Sequence, residues 1–167
     1  INDFPSIKYF IAVYVLIILL NVILWTSFPL LAYLLFLIIS AYHFGQSRFS
    51  QYFRYQHLIH RLIYFFWGIA ILSALILFNL DEIHSWMNEY SEFSVFGPIH
   101  EKQNVVSFLG FSSFLTFGLL SFLMYKKAFS VHSFLMECLI FSLIIAAFFL
   151  TPLVIGFTLY FIILHSF

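Results

Sequence analysis

Six long apolar runs, parted by short polar stretches, constrain this chain more than any other feature of its sequence. They cover about Ile7 to Trp25, Pro29 to His43, Leu58 to Phe78, Val105 to Tyr125, Val131 to Leu150, and Pro152 onward. Hydrocarbon offers no partner for a bare N–H or C=O, so a run of this length in lipid must pair its backbone internally, as a helix. Water is excluded as the main solvent by the charge count. Only 8% of the residues are charged against 63% hydrophobic, whereas a soluble domain keeps about a quarter charged to cover its surface. The expected fold is all-α, a polytopic transmembrane helix bundle of about six helices, with residues 1–167 as a single transmembrane helical domain. Zero formal net charge leaves no basic field for nucleic acid. Cys138, the only cysteine, excludes both a disulfide framework and a thiolate metal cluster.

Local signals place the ends of these helices. Ser27 and Pro29 predict the N-cap and first turn of the second helix, and Gly45 suits its end. Gln46 to Gln56 reads as a polar, aromatic connection and Asn79 to Asn104 as one long loop, while Thr151 and Pro152 predict the N-cap and first residue of the sixth helix. Gly110, Ser113 and Ser121 share one side of the fourth run and predict a close-packing face. The sequence starts at Ile1 rather than Met, and its last run stops after about 24 Å of helix, short of a ~30 Å hydrocarbon core. Both features read as an internal fragment of a longer chain.

Short loops rich in Lys and Arg mark the cytoplasmic side. Arg48, Arg54 and Arg61 gather between the second and third runs and Lys126 and Lys127 between the fourth and fifth, whereas the long loop carries Asp81, Glu82, Glu89, Glu92 and Glu101 against Lys102. Six spans then put Lys8 and both basic loops inside and the acidic loop outside. This topology sorts the histidines: His84 and His100 are expected to face solvent in the outer loop, and His43, His57, His60, His132 and His165 lie near the inner face.

Five imidazoles in one layer suit iron, copper or zinc, because neutral ligands add no charge to be buried in low dielectric. The same positions equally suit interfacial hydrogen bonding beside Trp, Tyr and Arg, and neither His43 nor His165 has a second histidine three or four residues away. Glu137, about two turns inside the fifth helix, is expected to face the bundle interior, since an ionised carboxylate in lipid is costly. It either accepts a hydrogen bond from a ligand histidine and fixes its tautomer, or makes a purely structural interhelical bond. The 25 Phe and 10 Tyr pack the bundle and anchor it at the interface, or line a tunnel for a long conjugated lipid.

Two stretches resemble the Brp/Blh family. They are Ala41-Tyr42-His43-Phe44-Gly45-Gln46, and Glu137 followed by Thr151-Pro152 and then Gly156-Phe157-Thr158-Leu159-Tyr160-Phe161-Ile162-Ile163-Leu164-His165-Ser166. The resemblance spans nearly the whole chain. It implies an enzyme, a membrane-embedded dioxygenase of bacteria and archaea that cleaves β-carotene at its central double bond into two molecules of retinal. It further implies Fe(2+) as cofactor, O2 and β-carotene or a related carotenoid as partners, and a multi-pass position in the lipid bilayer of a prokaryotic plasma membrane. His43 and His165 match two of the family's metal-binding histidines and are the expected metal and catalytic residues, with Glu137 behind them. The family pattern has a further histidine in an earlier helix and another one turn beyond the His-Ser. The sequence begins and stops between these, which leaves the fragment itself short of ligands. It departs from the family at Gln46 and Arg48, where acidic residues are expected.

The alternative expectation is a non-catalytic carotenoid- or retinal-binding membrane protein, motivated by those two departures and the aromatic content. A small transporter ranks last, because no pair of interrupted helices is visible and few charges fall inside the apolar runs.

Overall fold

The computed structural model describes the backbone of residues 7–53, 57–89 and 91–165, and the side chains of these residues apart from 7–8, 91–94 and 163–165. The described residues form seven α-helices: α1 (Ile7–Ser27), α2 (Pro29–Phe49), α3 (Leu58–Phe78), α4 (Leu80–Glu89), α5 (Lys102–Tyr125), α6 (Val131–Leu150) and α7 (Leu153–His165). A 3-10 helix, Ser91–His100, lies between α4 and α5, and no strand occurs among the described residues. Helices α1, α2, α3, α5 and α6 are long and apolar enough to cross a membrane, and α7 is a shorter apolar helix. The expected all-helical, multi-pass architecture is present.

The chain divides into two units, Ile1–Leu37 and Ile38–Phe167. In the first, Phe28 alone separates α1 from α2. Its N–H donates to Leu24 O (2.8 Å) and its carbonyl accepts from Ala32 N (2.9 Å). Phe28 therefore takes the N-cap place that Ser27 was expected to hold, and Ser27 completes α1. The Thr26 hydroxyl contributes by donating to the Val22 and Ile23 carbonyls, which keeps that turn helical. Along α1 most of the large apolar side chains from Tyr9 to Trp25 are exposed.

In the second unit α3 is the hub. One side of it, including Ile63, Tyr64, Trp67, Gly68, Ile71 and Ala74, is buried. Gly45 does not end α2 as expected; it lies inside the helix and is buried. A Cβ on Gly45 would fall on the Tyr64 carbonyl, and one on Gly68 on the Ala41 carbonyl. The two helices thus cross backbone to backbone, each through the other's glycine, a contact that requires the missing side chain rather than a left-handed turn. On α5 the buried face is Val105, Ser112, Thr116, Leu120 and Leu123. The close-packing face expected from Gly110, Ser113 and Ser121 is not the one used, since Gly110 is exposed with open space where its Cβ would be.

The expected long loop is mostly helical. Asn79 closes α3, with its side chain donating to Leu75 O, and its carbonyl starts the next helix by accepting from Ile83 N at 3.0 Å. Asp81 and Glu82 then occupy the first turn of α4, where the helix dipole favours negative charge. The Glu82 carboxylate also accepts from Leu153 N at 2.9 Å and so caps α7 from another part of the chain. Thr151 does not cap α7; its hydroxyl donates back to Ala147 O on α6, and the Pro152 carbonyl takes the first α7 bond from Gly156 N. Ser130 caps α6 by accepting from Ser133 N at 2.9 Å.

Candidate functional site

Because α2 continues past Gly45, Arg48 is a helical residue rather than part of a loop, and it reaches across to α6. Its Nε donates to Glu137 Oε2 at 3.0 Å and its Nη2 to Oε1 at 2.7 Å. This bidentate, charge-assisted fork joins a carboxylate with no exposed surface to a guanidinium with 15% of its side chain exposed. Tyr52 lies in the connection after α2; its own burial first, and then the charge of Glu137, push its phenol above the usual tyrosine range. Glu137 faces the bundle interior as expected, and of the two roles open to it the interhelical tie is formed, with both oxygens engaged by Arg48. Arg48 was not among the partners expected of Glu137; a carboxylate in an apolar run calls for a cation, and the basic residues of the same end are the signal that could have found it. Arg54 lies outside the described residues.

Beside the ion pair, a cavity of about 580 Å³ opens between α2, α6 and α7. Ser47, Arg48, Gln51 and Tyr160 make it polar at one end, and side chains such as Ile144, Phe148 and Leu159 make it apolar elsewhere. Tyr160 packs on Phe44 with ring centroids 5.1 Å apart, and Phe157 on the same ring at 6.2 Å. Phe44 thus joins α2 to α7. His43, about 100° further round the helix, is exposed and borders a groove of about 480 Å³ with Ile38, Ile39, Tyr42, Gln46 and Phe65.

The other inner-face histidines lie on α6 and α7 and at the start of α3. His60 is buried and stacks flat on Phe53, with centroids 4.1 Å apart and an interplanar angle of 4°; His57 meets His60 edge to face at 5.4 Å. His132 is exposed at the start of α6. His165 is the last residue of α7, and its side chain lies outside those described. Arg48 and Tyr160 border one cavity, so the ends of α2 and α7 that carry His43 and His165 belong to the same end of the bundle. Among the described residues no three His, Cys, Asp or Glu side chains form a group able to hold a metal ion. The described side chains do not by themselves make an iron centre.

At the opposite end His100, expected in solvent, is buried at 5% exposure with its Nδ1 3.4 Å from Met87 Sδ. Burial, and then the nearby His84, hold its imidazole below the ordinary histidine pKa. Many aromatic rings serve as packing: Trp67 meets Phe49 edge to face at 5.1 Å and Phe141 at 5.3 Å, and Phe141 meets Phe117 at 5.3 Å.

The family model described as beta-carotene 15,15'-dioxygenase matches residues 2–167. No curated protein and no solved structure matches the chain.

Proposed function

The chain belongs to the beta-carotene 15,15'-dioxygenase family, and from that premise we propose that it cleaves the central double bond of β-carotene with dioxygen. The central C=C bond breaks, each of its carbons gains one oxygen atom of O2, and two retinal molecules result, so the atoms balance without a further reductant. The observation that carries this reading is the family match along the whole of residues 2–167. Ferrous iron is the proposed cofactor; bound to neutral imidazoles, it supplies the activation of dioxygen.

His43 and His165 are the proposed ligands from this chain. The groove beside His43 supports the first: it sets a single imidazole against Ile38, Ile39 and Phe65, an apolar wall suited to a hydrocarbon polyene arriving from lipid. The placement of both helix ends at one end of the bundle supports the second. The Arg48–Glu137 fork holds the last turn of α2 to α6, and so holds in register the helix that carries His43.

Expression of the full-length protein in a carotene-producing host, with retinal measured by chromatography, tests the reaction. Loss of colour with retinal formed is expected, together with loss of both effects and of protein-bound iron in His43→Ala. Persistent colour at normal protein level refutes cleavage; intact carotene copurifying with the protein in that case establishes pigment binding instead.

A further inference from the structure

The geometry points to a soft-cation site, for Cu(I), built from Met87, His100 and His84 where α4 packs against the 3-10 helix. His84 and Met87 are three residues apart on α4 and so share a face. His100, the last residue of the 3-10 helix, comes from the opposing element and places Nδ1 3.4 Å from Met87 Sδ. A metal ion at ~2.0 Å from the nitrogen and ~2.3 Å from the sulfur would span that separation at an angle of roughly 104°, close to tetrahedral.

The thioether is also held in place. Met87 is half-buried, and a Cβ added at Gly97 would stand 3.8 Å from its Cε, so the methyl rests over the glycine and the sulfur is presented to His100. His84, on the same face of α4 as Met87 and exposed, is the third donor of the proposed site. Thioether and imidazole together select Cu(I), whereas magnesium, calcium and manganese call for oxygen donors that this set lacks. Asp81, Glu82 and Glu89 on the same short helix add a negative field that raises the local concentration of cations. The site lies at the other end of the bundle from His43 and is independent of the oxidative cleavage proposed above.

The test is a titration of the detergent-purified full chain with Ag(I), the air-stable analogue of Cu(I), with the methionine methyl groups labelled with 13C. Cys138→Ser is included in every protein, so that the one thiol does not compete. The site requires one Ag(I) per chain and a shift of the Met87 methyl signal, with Met124 and Met136, on the membrane-crossing helices, unmoved. Met87→Leu and His100→Gln should each weaken binding about tenfold or more, and His84→Gln should weaken it as well. A Met87 methyl signal that stays in place at saturating Ag(I), or an affinity unchanged in Met87→Leu, overturns the assignment. The methyl shift is read with every ligand present, so it decides the matter even where a substituted chain does not fold.

Discussion

Separating Arg48 from Glu137 should cost far more than breaking an ordinary contact between membrane helices. Arg48→Met leaves a carboxylate with no exposed surface facing α2, and Glu137→Leu leaves a guanidinium with 15% of its side chain exposed. Removing one partner of a buried ion pair costs about 3–5 kcal/mol, because the other charge stays buried without compensation. Arg48 can bend its long stem toward the interface, whereas Glu137 has a shorter side chain and sits two turns inside α6. Arg48→Met should therefore fall at the upper end of that range and Glu137→Leu at the lower. The double substitution replaces the pair by apolar side chains of similar volume and should lie within about 1 kcal/mol of the unaltered protein. The assay is a double-mutant cycle read by helical circular dichroism during titration with a denaturing detergent in mixed micelles. Interhelical hydrogen bonds inside membranes average only ~0.6 kcal/mol. Two single effects near that value, adding in the double variant, would show that the fork contributes no more than an ordinary hydrogen bond and refute the reasoning.

Other outcomes follow from the same packing and can be read in the same assay. Gly45→Ala and Gly68→Ala each set a Cβ on a backbone carbonyl of the facing helix, and the displacement, about 1–3 kcal/mol, should outweigh the gain in helix propensity. Gly110→Ala meets nothing within 4 Å and should stabilise α5 by about 0.5–1 kcal/mol; a loss there would show that its face is covered. The Thr116 hydroxyl is buried with no hydrogen-bond partner among the described residues, so Thr116→Val should raise stability by about 1 kcal/mol. Ser130→Ala removes the cap on Ser133 N and should cost about 1 kcal/mol, a loss that Ser130→Asp should largely avoid.

The helical class and the extents of α3 and α6 were legible in the sequence, because lipid forces each long apolar run to satisfy its own backbone and leaves no other secondary structure open. The interior position of Glu137 was legible for a related reason: its charge is intolerable at the lipid surface. The family was legible in two short stretches around His43 and His165, and the family match bears it out.

What tertiary structure decided is where local signals have two readings. Gly45 suits a helix end or a close crossing equally well, and only the approach of Tyr64 on α3 selects the crossing. That choice extends α2 by a turn and turns Arg48 from a loop cation into the partner of Glu137. Thr151 reads as a cap until Glu82, far away in the sequence, arrives at the start of α7. Gly110 reads as a packing residue until α5 presents Ser112 and Thr116 instead. His100 reads as solvent-facing until Met87 closes over it. In each case the residue's own chemistry permits both roles, and the neighbour that selects one lies on a different element, which no pattern local to the residue can record.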